Sequence, residues 1–153
     1  MEIRRSDLLM FMDVALDSMG AIAARLGDDL INERPDLDGA NSPYVIGFHS
    51  VQVCHWWVGC MCAGRDVNRN RPAEFTASGS VADLLGHIAA GKAQLHADFE
   101  MVEPQAPLQR PDLLPEGASA RSWTQAMALV HTYEELAQHL GQLEITRDIL
   151  LAG

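Results

Sequence analysis

Apolar residues recur along this chain at three- and four-residue intervals in four stretches, separated by segments rich in Pro, Gly and Asn. The first runs from about Ser6 to Asn32, with Leu9, Met12, Leu16, Met19 and Ala23 on one face, Ser6 as the expected N-cap, and Pro35 and Gly39 closing it. The second starts near Ser42, with Pro43 in the favoured first turn, and runs to about Ala63; its lack of charge predicts burial. The third is capped by Ser80 and reaches about Glu100 through Leu84, Leu85, Ile88, Leu95 and Phe99. Gly86 and Gly91 weaken it by about 1 kcal/mol each relative to Ala. The fourth, from about Ser122, carries Leu129, Tyr133, Leu136, Leu140, Leu143 and Leu150 in a nearly unbroken seven-residue pattern.

Between these lie an aperiodic loop from Gly64 to Gly79 and a second marked by Pro104, Pro107, Pro111 and Pro115. No stretch alternates as a strand does, and there is no internal repeat. The pattern predicts an all-α chain, a four-helix bundle with two long connections, forming one domain over residues 1–153.

A formal net charge of −10 argues against nucleic acid or an anionic membrane surface as partner, since both demand an excess of Lys and Arg. No apolar run approaches the roughly 18 to 20 residues of a membrane span, and no leader pattern is visible, so a cytoplasmic protein is expected. Cys54, Cys60 and Cys62 are odd in number and crowded into one apolar segment, a poor disulfide framework. Cys60 and Cys62 would point about 200° apart on a helix, which also disqualifies them as a zinc pair.

Chemistry enters with the fourth helix, where His131, Glu135 and His139 follow one another at four-residue spacing. With Leu136 at zero on a helical wheel, Glu135, His139 and Thr146 fall between about −100° and −60°, bordering the leucine seam. His131 and Gln142 sit further round, at about −140° and −120°, where solvation is the favoured reading for His131. The second helix adds His49, on a face with Val45, Val53, Trp56 and Cys60, whereas His55 points away from it. A Glu–His pair alone is common on helix surfaces, and a lone buried His is usually a satisfied core residue. Three such groups from two helices, each beside an apolar seam, point to a metal site.

Two imidazoles and one carboxylate suit zinc, with nickel or iron as alternatives, and leave a coordination position open for water or a thiol. No HExxH motif supplies the base of a metalloprotease.

Asn41-Ser42-Pro43 leading to His49, then Trp56-Trp57, and finally Glu135 through His139 to Gly141-Gln142, in the pattern ExxxHxGQ, resemble the DinB-like metal-binding bundles. Glu135, where many members of that superfamily have a histidine, is similar to the branch containing the N-terminal domain of mycothiol-dependent maleylpyruvate isomerase. The resemblance implies that His49, Glu135 and His139 are the metal ligands. It also implies a thiol S-transferase or isomerase in which mycothiol or a bacillithiol-like thiol, and not a cysteine of the chain, attacks a small electrophile.

Arg65, Arg69 and Arg71, after the second helix, are candidates to grip a carboxylate of thiol or substrate, against the plainer reading of a solvated loop paired with Asp66 and Glu74. The competing functions are a metal-dependent hydrolase with bound water and a non-catalytic bundle that binds metal or a small ligand. A homodimer is a further expectation for a bundle of this size.

Overall fold

The computed structural model describes residues 4–114 and 123–152. Four long helices form the bundle: α1 (Arg5–Leu30), α2 (Pro43–Cys54), α4 (Val81–Glu100) and α5 (Gln125–Ala152), with a one-turn helix α3 (Arg71–Glu74) in the connection after α2. Among the described residues there is no strand, and no helix is long and apolar enough to cross a membrane. The seams meet as their spacing predicts. Met12, Leu16 and Met19 of α1, Ile46 of α2, Leu84 and Leu95 of α4, and Leu129, Leu136 and Leu143 of α5 are all fully or almost fully buried.

The ends follow local chemistry. Ser42 accepts the Val45 amide at 3.3 Å, and Ser80 forms a reciprocal capping box with Asp83, so both expected caps are present. Ser6 is not a cap: α1 begins one residue earlier, behind an extended Arg4 whose side chain instead pairs with Asp7. Gly27, at φ 69°, breaks the last turn of α1 before the expected end at Asn32. Pro115 and the expected start at Ser122 lie outside the described residues. The 64–79 connection is not wholly irregular, because Asn70 caps α3 by accepting the Ala73 amide at 3.3 Å and Pro72 sits in its first turn.

One departure from regular α-helix geometry and two close glycine contacts shape the packing around the second helix. From His55 to Cys62 the second helix continues as a π-helix, a wider winding that carries both Trp56 and Trp57. In the third helix Gly91 is a contact residue, since a Cβ there would come within 2.5 Å of Val51 Cγ1. Its cost in helix propensity is offset by letting α4 lie close against α2. Gly59 plays a similar part in the π-helix: a Cβ would stand 2.7 Å from Asp98 Oδ2 and closer still to Arg65 Nη2.

The second connection is tied down by buried Gln125, whose Oε1 accepts the Glu103 amide at 2.9 Å and whose Nε2 donates to the Pro107 carbonyl at 3.0 Å. Polar loop backbone is thereby satisfied inside the fold.

Candidate metal centre

His49 lies in the middle of α2, 5 % exposed, with its Nδ1 2.6 Å from Glu74 Oε2. Glu74, on α3, is equally buried and receives Arg69 through Nε to Oε1 (2.7 Å) and Nη2 to Oε2 (3.0 Å). Burial alone would raise the Glu74 carboxyl, but the hydrogen bonds from Arg69 and His49 outweigh it and hold the group below its ordinary range. Burial pushes the His49 imidazole down despite the neighbouring carboxylate. An ionised Glu74 can only accept, so the His49 proton sits on Nδ1 and the Nε2 lone pair is left free.

Across from it, α5 presents Glu135 and His139. Their side chains are about one-third and one-fifth exposed, with Glu135 Oε2 3.4 Å from His139 Nε2. His139 Nδ1–H donates to Gln142 Oε1 at 3.3 Å, so the glutamine of ExxxHxGQ orients this ring as Glu74 orients His49. The two imidazoles meet nearly edge to face, 4.9 Å between centroids. One donor atom each from His49, Glu135 and His139 lies within 4.8 Å of the others.

The test of fit to a metal is His139 Nε2, which is buried and has no hydrogen-bond partner. A buried polar atom left in this state costs roughly 1–3 kcal/mol, and a ligated cation removes that cost. Two neutral imidazoles and a carboxylate are moreover the donor set of an open zinc-type site. The residues fit.

A cleft of about 500 Å³ opens onto His49 and Glu135. Trp56, Trp57, Val53 and Leu113 give it an apolar wall, and Arg69 and Arg71 line it as well. Trp57 stacks on Trp123 at 5.3 Å between centroids. His131 also faces the cleft, edge-on to Trp57 at 4.7 Å with its Nε2 3.6 Å from Glu135 Oε1. That corrects the solvated placement expected for it: the two tryptophans reach over α5 and cover a sector that a wheel of one isolated helix assigns to water.

The arginines divide. Arg65 turns away from the cleft and donates to both oxygens of buried Asp98 and to His55 Nδ1, at 2.9–3.0 Å for the shortest bonds. It therefore does not share the cleft with Arg69 and Arg71, as its place in the sequence had suggested. His55, as expected, is outside the centre; burial first, and the Arg65 charge second, lower its pKa. The residue missed from sequence is Glu74, assigned to a solvated loop. The Asn70-Arg71-Pro72 cap-and-proline signature was the available sign that this stretch forms a turn of helix.

The three cysteines are free and buried. Burial pushes the Cys54 and Cys62 thiols up to about 12 and raises Cys60 as well, so none supplies a thiolate at neutral pH.

A family model described as mycothiol-S-transferase matches residues 7–152 of the chain. No curated protein and no solved structure matches it.

Proposed function

Because the chain belongs to the mycothiol-S-transferase family, we propose that His49, Glu135 and His139 hold one divalent metal at which a small thiol is joined to an electrophile occupying the tryptophan-walled cleft. The family match and the His/Glu/His cluster together support a metal-associated, thiol-dependent transferase or isomerase. The observation that carries the reading is the buried, unpartnered His139 Nε2 beside two further donors. Zinc is the ion that the donor set favours, with nickel as the alternative. When bound, the ion supplies Lewis acidity that keeps a thiol ionised near neutral pH.

The chain's own residues do the remaining work. Glu74 and Gln142 each accept the Nδ1 proton of one imidazole and fix its ring, so that Nε2 of both faces the centre. Arg69 keeps Glu74 ionised and lies over Trp56, 5.7 Å from the ring centroid, joining the metal side of the cleft to its apolar wall. Trp56 and Trp57 give the cleft an apolar wall and offer flat surfaces to the electrophile. With the cysteines protonated, the sulfur belongs to the cosubstrate, which is mycothiol on the family assignment and a bacillithiol-like thiol in the second instance. A cytoplasmic setting, which keeps such thiols reduced, and a homodimer complete the proposal.

Elemental analysis of the purified protein should give about one divalent ion per chain. The metal-loaded protein is then incubated with 1-chloro-2,4-dinitrobenzene in the presence or absence of mycothiol or bacillithiol. Turnover only with thiol supports the transferase. Turnover without it would hand the site to a hydrolase, and metal content with no thiol binding in calorimetry would leave a non-catalytic metal-binding bundle.

A further inference from the structure

Of the three arginines that follow the second helix, two are committed. Arg65 is held by Asp98 on the far side of the π-helix, and Arg69 spends its fork on Glu74. Arg71 is exposed, lines the cleft and pairs with no carboxylate among the described residues; its guanidinium rests over the Phe75 ring at 5.3 Å. Phe75 in turn lies against His49, 5.0 Å between centroids. An unpaired cation thus lies one ring away from the proposed metal ligand, at a cleft also lined by Trp56 and Trp57.

The whole chain carries a net charge of −10, so a local cation such as Arg71 is needed to make any part of its surface attractive to an anion. We infer that Arg71 selects the electrophile, by gripping a carboxylate attached to a flat apolar body that lies along the tryptophan wall. The inference rests on the transferase reading for its chemistry but not for its binding. A guanidinium fork matches a carboxylate with two parallel hydrogen bonds, and the Phe75 ring beneath it keeps the group at the cleft. The anionic group is assigned to the electrophile because the carboxylate and the flat body on the tryptophan wall are taken as parts of one molecule.

With 4-chloro-3-nitrobenzoate as probe, the thiol sulfur forms a bond to the chlorine-bearing ring carbon and chloride leaves with the electron pair of the broken C–Cl bond. The thiol proton passes to solvent, and no oxidant or reductant is needed.

Binding is tested first, without chemistry. The unreactive pair 4-methyl-3-nitrobenzoate and 4-methyl-3-nitrobenzamide is titrated against the full chain, as purified and metal-loaded, with quenching of tryptophan fluorescence as the signal. The wild type should prefer the benzoate, R71Q should lose roughly tenfold of that preference, and R71K should keep part of it as a single-point cation. The ratio of kcat/KM for the two chloro analogues with mycothiol should fall in R71Q by a similar factor. Equal binding of acid and amide by the wild type, or an undiminished preference in R71Q, overturns the inference. A carboxylate preference lost in R71Q without any thiol transfer would sustain the Arg71 site while sinking the reaction. Transfer without any preference would do the reverse.

Discussion

The second helix presents its two histidines to two similar partners with opposite results. His49 and His55 each sit beside a buried carboxylate that is gripped by an arginine from the following connection: Glu74 with Arg69, and Asp98 with Arg65. At His49 the carboxylate itself accepts the Nδ1 proton, which leaves Nε2 facing the cleft. At His55 the arginine reaches the imidazole instead, so Nδ1 is an acceptor, and Asp98 is occupied by Arg65 and by Gln94 Nε2 at 2.9 Å. The same three residue types therefore make a prepared ligand in one place and a clamp in the other. What separates them is which partner touches the ring.

Breaking the two clusters should give different failures. The largest effect is expected from His49→Ala or His139→Ala, each taking bound metal from about one ion per chain to near none by elemental analysis, whereas His55→Ala retains it. Next comes Asp98→Ala, which strands Arg65 and should destabilise the fold by about 2–3 kcal/mol, after discounting for the part-exposed arginine. Denaturant unfolding of the metal-free protein would record it, with metal stoichiometry unchanged in the loaded protein. Glu74→Gln leaves an acceptor for His49 but removes the charge, and should weaken metal affinity by about 10- to 100-fold in a chelator competition.

The smallest difference is in acid. His55 has a lowered pKa in the fold, so the unfolded chain takes up its proton first and stability falls as pH drops below about 6.5. His55→Gln should therefore flatten the pH dependence of unfolding between pH 7 and 6, by at most about 0.8 kcal/mol at pH 6. An unaltered slope in that variant would deny His55 its share.

The contrast between the clusters also marks what could be read from sequence. Four helices and two of their caps were legible because apolar spacing at helical intervals and short cap motifs are local signals. The trio His49, Glu135 and His139, which the fold brings together, was reached from wheel positions on two helices and from the resemblance carried by ExxxHxGQ. Glu74 was not legible, since its burial depends on a one-turn helix folding over α2, a tertiary event with only Asn70 and Pro72 to announce it. Arg65 and Arg69 lie four residues apart in an irregular connection and face different partners, and with no helical period there nothing local in the sequence separates them. His131 was misplaced for a related reason: a wheel shows its own helix and nothing of Trp57 and Trp123 overhead.

Gly59 turns the clamp into an inherited unit. A Cβ at position 59 would crowd the ends of the Arg65 and Asp98 side chains, so a larger residue there forces the pair to shift, and once the pair is gone the space no longer demands glycine. Across descendants of this chain, a side chain at position 59 should therefore appear mainly where Arg65 or Asp98 has been replaced. Sequencing the survivors of a library randomised at all three would show that dependence directly.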